Sequence, residues 1–291
     1  MNTRDFEYFL ALTQTRNFSQ TAEQFAVSQP TITTAIKRLE DSFQAQLIIR
    51  DRRHHDIGVT SAGKQLAAHA QVILQQLTLA QQEIAWDQTN KIRFGLPPII
   101  GNYFFPKIAP QLIVAGLMPQ LQTVEAGSAA LLNQIKQGDL DFALLGASGP
   151  LQEPDLTISQ IGTAPFVIIT PESDPLAQKD KVRFAELAMQ KFVTLSEAFV
   201  HTRAFTWFQQ QSAFTPNVVY QTGDVQLLKQ MVAQNVGIGF LTNLAINPDD
   251  HLAAVKLTDP KQPVFTISIV RRKDRVLTPA MQHFNQILAA N

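Results

Sequence analysis

The chain has 291 residues, of which 45% are hydrophobic, and its 24 basic side chains balance 24 acidic ones. That length is room for two or three domains with substantial cores, and the composition is that of a globular protein throughout. The lack of cysteine excludes a disulfide framework, a thiolate metal site and a cysteine nucleophile, while no apolar run approaches the roughly 20 residues of a bilayer span and no leader pattern opens the chain, so a cytoplasmic protein without a membrane partner is expected.

The first predicted element is a helix from Thr3 to about Thr15, with Phe6, Phe9 and Leu10 on one face and Phe18 placed to close the core behind it. A second helix is expected to start at Ser19 as N-cap and to bury Ala22, Phe25 and Ala26, after which the chain turns through Val27. Ser28 is the next expected N-cap. Pro30 falls in the first turn, where its missing N–H costs nothing, and Ile32, Ile36, Leu39 and Phe43 mark the apolar stripe of the third helix. At about 100° per residue, Pro30, Thr33, Thr34 and Lys37 project away from that stripe, with Gln29 and Thr31 exposed at the front end. Amide and hydroxyl groups of this kind bond base edges, while Lys37 and Arg38 neutralise phosphates. The plainer reading is a helical hairpin with a solvated polar face. Two short β runs, 47–49 and 57–60, then flank a polar loop containing Arg50, Arg52 and Arg53, which reads as a wing whose arginines reach a minor groove or the DNA backbone.

Residues 1–63 resemble the winged helix-turn-helix of LysR-type transcriptional regulators. The resemblance is carried by Arg4-Asp5-Phe6-Glu7-Tyr8-Phe9, by Phe18-Ser19, by Val27-Ser28-Gln29-Pro30, by Ile36-Lys37-Arg38-Leu39-Glu40 and by Val59-Thr60-Ser61-Ala62-Gly63, and it continues more weakly to the C-terminus. It implies double-stranded promoter or operator DNA as a partner, with contacts at Gln29, Pro30, Thr33, Thr34 and Arg53, and it brings RNA polymerase in as a further candidate partner. Three positions depart from the pattern. Thr34 stands where relatives often carry a longer basic side chain, Gln44 replaces the usual glycine after the third helix, and the wing loop is longer. Residues 1–60 hold seven basic and seven acidic side chains, so each head is expected to bind DNA modestly and tight binding to need several heads joined together.

A joining device follows. Between residues 61 and 86 there is no proline, and Leu66, Ala70, Ile73, Leu77, Ala80 and Ile84 repeat at spacings of 4 and 3 in a heptad seam. The seam is short, so packing of this helix on its own domain stands as the alternative. The resemblance implies that it is an antiparallel dimer interface, in a dimer or a tetramer. The expected organisation is therefore a DNA-binding domain over 1–60, a linker and dimerisation helix over 61–90, and an effector domain over 91–291.

Beyond residue 90 short strands alternate with helices, with strands expected at 92–96, 121–125, 142–145, 166–170, 192–195, 218–221, 238–241 and 264–270. A repeat runs through this region. Gly127-Ser128-Ala129-Ala130-Leu131-Leu132-Asn133-Gln134-Ile135 matches Gly223-Asp224-Val225-Gln226-Leu227-Leu228-Lys229-Gln230-Met231, and Leu140, Phe142 and Leu144 match Val236, Ile238 and Phe240 in the same register. Two similar α/β lobes are expected, with a ligand cleft between them. The resemblance gives them a periplasmic-binding-protein-like form, one lobe near 91–161 plus 267–291 and the other near 162–266. The fold class is thus α+β multidomain: winged helix-turn-helix, linker helix, and two-lobed α/β effector domain.

Helix starts that follow strands present backbone N–H groups together, here at 97–102, 127–128, 196–202 and 223–224. By resemblance the effector contacts fall on Pro98, Ile99, Ile100, Gly101, Ser128, Ser196, His201, Thr202 and Gly223. The chemistry suggests a small carboxylate held at Ser128, with His201 and Thr202 across the cleft, because Asp224 already supplies an anion to its own helix. For Ser128 the plainer reading is an N-cap, and for His201 a solvated ring. Within the family, Phe94-Gly95-Leu96-Pro97-Pro98-Ile99-Ile100-Gly101-Asn102 is similar to regulators of malolactic fermentation, which implies L-malate as effector. No cofactor or metal is expected: the six histidines show no ligand spacing apart from His54-His55, and no nucleophile elbow, Walker loop or complete dinucleotide turn is present. Asp139 and Asp141 read as a turn residue and a solvent-facing one. The rival readings are an enzyme built on a binding-protein cleft with a DNA-binding extension, and a DNA-bending protein without ligand control.

Overall fold

The computed structural model describes residues 1–51, 56–197 and 199–290, with the side chains of 50, 51 and 56 not described. The chain divides into two compact units, Met1–Trp86 and Asp87–Asn291.

The first unit opens with helices α1 (Thr3–Thr15), α2 (Phe18–Gln24) and α3 (Gln29–Phe43), followed by the strands β1 (Ile48–Asp51) and β2 (Asp56–Val59) and the long helix α4 (Ser61–Asp87). Asn2 and Asp5 close a reciprocal capping box at the start of α1. Asn17, not Ser19, caps α2: its side chain accepts the main-chain N–H groups of Ser19 and Gln20, so the helix begins earlier than the sequence suggests. Ala26 lies off the buried face. It is exposed at φ +52, where the turn closes through Val27 N–H to Ala22 C=O. Phe6, Phe9, Phe18, Ile32, Ile36 and Leu39 form one core as expected; Leu12 joins it in place of the expected Leu10, which is only half-buried, and Phe43 ends its helix 46% exposed and outside that core. Gln44 takes the left-handed C-cap conformation (φ 47, ψ 40), the geometry that favours glycine.

Two contacts fasten the hairpin to this core. Glu40 Oε1 accepts the N–H groups of Leu47 and Ile48 at 2.9 and 3.2 Å, which fixes where β1 leaves α3. Gly63 lies so close to Leu47 that a Cβ there would stand 2.3 Å from the Leu47 carbonyl oxygen. The close approach explains glycine in Thr60-Ser61-Ala62-Gly63, and Thr60 Oγ1 caps the turn by accepting Gly63 N–H at 2.9 Å.

The second unit is built on one ten-stranded sheet. Its strands are β3 (Ile92–Leu96), β4 (Leu121–Glu125), β5 (Phe142–Ala147), β6 (Leu156–Pro171), β7 (Lys181–Val182), β8 (Lys191–Leu195), β9 (Asn217–Thr222), β10 (Ile238–Thr242), β11 (Leu252–Leu257) and β12 (Val264–Arg272). Helices α5 (Pro98–Val114), α6 (Ser128–Gln137), α7 (Val200–Gln211), α8 (Val225–Ala233) and α9 (Pro279–Ala289) complete it. The order β4-β3-β5-β12-β6-β10-β8-β9 reads alike from both ends. In each direction three parallel strands are followed by an antiparallel crossing strand. The sequence repeat occupies matching elements, α6 with β5 in one half and α8 with β10 in the other.

Strand β6 is longer than the expected 166–170. Its residues up to Pro165 pair with β12, with Ile161 left out at a bulge, and from Phe166 onward it pairs with β10 and β11. The early half escapes a pattern reading because Thr157, Ser159 and Gln160 are held by pairing rather than by a buried face. Asp141 is not solvent-facing. Fully buried, it accepts Arg93 N–H and a bidentate Arg93 guanidinium at 2.9–3.1 Å, and Arg275 Nε at 3.2 Å. A buried carboxylate with this many donors is a structural anchor.

Candidate nucleic-acid interface and effector cleft

Helix α3 has two faces. Ile32, Ala35, Ile36 and Leu39 are buried, whereas Ser28, Gln29, Pro30, Thr31, Thr34 and Lys37 are exposed and Thr33 is half-buried. Ser28 holds the N-cap backbone position without capping through its side chain, and its hydroxyl pairs with that of Thr31 at 2.9 Å. Lys37 forms no hydrogen bond or ion pair with the described residues, so its ammonium is available to a phosphate. Arg38 has a different task. Its guanidinium grips the buried Asp5 carboxylate through Nε at 3.2 Å and Nη2 at 2.5 Å, tying α3 to α1. Burial acts to raise the Asp5 carboxyl, yet the Arg38 and Asn2 hydrogen bonds outweigh it and hold the group below its ordinary value. Of the wing arginines, Arg50 lies in β1 with its side chain not described, and Arg52 and Arg53 lie outside the described residues, as do His54 and His55.

The heptad seam on α4 splits in two. Leu66 and Ala70 are buried in the core of their own unit, as the alternative reading has it, while Ile73, Leu77 and Ile84 are 44%, 38% and 66% exposed and Ala80 is also exposed. An apolar stripe therefore remains uncovered along the later turns.

In the second unit the expected effector residues gather only in part. Pro98, Ile99, Ile100, Ser128 and His201 line one cavity together with Phe199 and Phe265. It is narrow, about 20 Å³, room for little more than one water. Gly223 lines a neighbouring cavity of about 330 Å³ with Pro98, Ile99, Asn102 and Lys229. Gly101 lies at a third, and Ser196 and Thr202 line none of these. The Thr202 hydroxyl is committed to the main chain, donating to Ser196 C=O at 2.8 Å.

Ser128 is the first residue of α6, not its cap, which is Gly127. Its hydroxyl oxygen accepts Gly146 N–H at 3.0 Å and keeps its own proton free for a ligand. Asp224, at the matching place in the repeat, does cap α8, accepting Gln226 and Leu227 N–H. His201 is buried, 3% exposed, rather than solvated. Its Nε2 accepts Thr242 N–H at 3.1 Å and its ring lies edge-on to Phe166. Desolvation pushes its pKa down to about 3, so the imidazole is neutral with its proton on Nδ1. That Nδ1 meets no partner among the described residues. The narrow cavity is thus lined by Ser128, by His201 and by the starts of α5, α6 and α7, framed by aromatic rings and without a charged side chain. Phe265 is a lining residue that sequence reasoning missed, since an apolar side chain carries no chemical signature of a site, and Phe199 falls within the expected 196–202 segment without having been singled out.

Among the described residues no group of histidine and acidic side chains is arranged to hold a metal ion, and no helix is long and apolar enough to cross a membrane.

Family models agree with both units. The bacterial regulatory helix-turn-helix protein, lysR family, matches residues 3–64, and the LysR substrate binding domain matches residues 87–291. The chain is 30% identical over 289 residues to the malolactic fermentation system transcriptional activator of Lactococcus lactis subsp. lactis, covering 99% of this chain and 98% of that protein. It is 28% identical over 298 residues to the hydrogen peroxide-inducible genes activator of Haemophilus influenzae, covering 100% and 96%. Among solved structures, a full-length OxyR variant from Pseudomonas aeruginosa aligns with a TM-score of 0.56 at 23% identity over 100% of this chain and 99% of that one. The effector binding domain of QuiR in complex with shikimate aligns with a TM-score of 0.60 at 15% identity over 69% and 95%. At these identities the structural likenesses speak to the fold alone.

Proposed function

The chain belongs to the LysR family of bacterial helix-turn-helix regulators, and from that premise we propose that it reads operator DNA with the polar face of α3 and the wing, under control of a small carboxylate bound where α5, α6 and α7 begin. The observation that carries the DNA half is the division of α3: a fully buried apolar face fixes the helix, and Gln29, Thr31, Thr33, Thr34 and Lys37 stand on the side left to a partner. Arg38 belongs to the fold in this reading, through Asp5.

For the effector, the Ser128 hydroxyl and the His201 Nδ1–H are donors, and the positive ends of α5 and α6 favour an anion. L-malate is the specific proposal, supported by the name of the Lactococcus relative and by donors suited to carboxylate and hydroxyl oxygens; the cavity of about 20 Å³ must widen to admit it. The relative named for hydrogen peroxide points to another signal, but this chain has no cysteine and so no thiol with which to sense one. Binding would favour one closure of the two sheet halves and shift paired linker helices, which assemble through Ile73, Leu77, Ala80 and Ile84. The same proposal divides the chain into DNA-binding (1–60), dimerisation (61–90) and effector (91–291) parts.

Fragments of genomic DNA retained by the full-length protein, footprinted with and without L-malate, test this reading. Alanine at Gln29, Thr33 and Lys37 together is expected to erase the footprint, and malate or citrate to raise the melting temperature. An unchanged footprint in the triple variant refutes the DNA half, and the absence of thermal stabilisation by either acid refutes the carboxylate half.

A further inference from the structure

A second, roomier cavity lies apart from the one lined by Ser128 and His201. A space of about 530 Å³ lies between the segment that leaves β5, with Ser148 and Gly149, and the outer face of α7. On that helix Arg203, Thr206, Trp207 and Gln210 follow one another at the i, i+3, i+4, i+7 spacing that sets side chains on a single face. The opposite face of the same helix, with His201, Phe205 and Phe208, is buried. Packing has therefore fixed the orientation of α7, and its polar and aromatic stripe lines the cavity as a rigid wall.

The chemistry of this wall is selective. Arg203 is exposed and makes no ion pair or hydrogen bond with any described residue, and no carboxylate lines the cavity to neutralise it. One turn on, Trp207 is half-buried with its ring edge-to-face on Phe208 at 5.1 Å, which holds the indole in one orientation. Pro150, Leu151 and Pro263 add apolar surface. Across from the helix, Gly149 has φ +153 with nothing within 4 Å of where a Cβ would stand, and its carbonyl is pinned by the Thr266 hydroxyl at 2.8 Å, so this wall is main chain held open. The Ser148 hydroxyl has no partner among the described residues.

We propose that this cavity is a second ligand site, separate from the Ser128 cavity, and that it takes a planar aromatic monocarboxylate. The ring lies against Trp207 and the proline surfaces, and the carboxylate pairs with the Arg203 fork, with Ser148 and Gln210 supplying further hydrogen bonds. One unpaired cation matches one negative charge. Because one wall follows β5 and the other follows β8, occupancy ties together the two halves of the sheet, so this ligand acts as a co-effector. The proposal stands without the reading of the Ser128 cavity.

Isothermal titration of the full chain with 2-naphthoate and with neutral 2-naphthol tests it. Naphthoate is expected to bind saturably and at least about tenfold more tightly than naphthol; Arg203→Gln is expected to weaken naphthoate about tenfold with naphthol unchanged, and Ser148→Trp to abolish both by filling the space. Ser128→Ala separates the two sites and is expected to leave naphthoate binding as it was. No saturable heat with naphthoate, equal affinity for naphthol, or unaltered binding in Arg203→Gln overturns the proposal, as does loss of binding in Ser128→Ala alone.

Discussion

His201 Nε2 accepts the main-chain N–H of Thr242 at 3.1 Å, so an imidazole on α7 completes the last backbone donor of β10 and must be unprotonated to do so. The folded-state pKa of about 3 lies below the ordinary 6.5. The unfolded chain consequently binds more protons between these values, and the stability due to neutral His201 is complete above about pH 6.5 and falls away as the pH drops toward 3. At pH 5 the loss is on the order of 2 kcal/mol. Urea unfolding at pH 7 and pH 5 is expected to show this difference in the native protein, and His201→Gln, which keeps an acceptor without titrating, to lack most of it.

Lys37 and Arg38 are neighbours in sequence with opposite assignments, and salt distinguishes them. Lys37→Ala is expected to weaken DNA binding and to lower the slope of log K against log salt by about 1, the signature of one lost phosphate contact. Arg38→Ala is expected instead to lower the melting temperature, because it takes the guanidinium from the buried Asp5 carboxylate and leaves it only the Asn2 N–H. A salt slope reduced equally by both substitutions would contradict this division.

Gly63→Ala is expected to be disproportionately damaging. The added methyl must displace the Leu47 backbone rather than a flexible side chain, so a cost of about 2–4 kcal/mol is expected in thermal or denaturant unfolding.

Gln44→Gly works in the other direction. The residue is exposed in the left-handed region after α3, and glycine there is expected to raise stability by about 0.5 kcal/mol, a small upward shift in melting temperature.

The two halves of the α4 stripe separate folding from assembly. Leu66→Ala is expected to cost about 2–4 kcal/mol through loss of core packing. Aspartate at both Leu77 and Ile84 is expected to leave that core intact and to lower the sedimentation mass to that of one chain. Retained assembly in the double variant would remove this stripe from the interface.

Elements with one strong periodicity were legible from the sequence. Helix α1 runs from Thr3 to Thr15 as read, β3 and β4 match residue for residue, and the Gly127 and Gly223 repeat maps onto equivalent helices and strands. What escaped depended on partners distant in the chain. The half of β6 before Phe166 is set by pairing with β12, Asp141 is buried because Arg93 and Arg275 reach it, and Arg38 serves Asp5, 33 positions away. At the cleft the expected residues gather only in part, and the sequence could not distinguish Ser128 as first helical residue from Ser128 as cap. It also read His201 as wet because a helix start is usually exposed, whereas here Phe166 and Phe265 flank the ring.

The sharing of β6 and β12 bears on how the effector unit can move. Both halves of the sheet own part of the same 16-residue strand, and the handover falls between Pro165 and Phe166 with no loop between them. A change of angle between the halves is therefore taken up as twist along a strand that remains paired on both sides of the handover, with the bulge opposite Ile267 and Ser268 as the one break in its register. Such a joint resists like a torsion bar: it returns to one rest position, allows a narrow arc, and converts a ligand's small push into a rotation of defined axis.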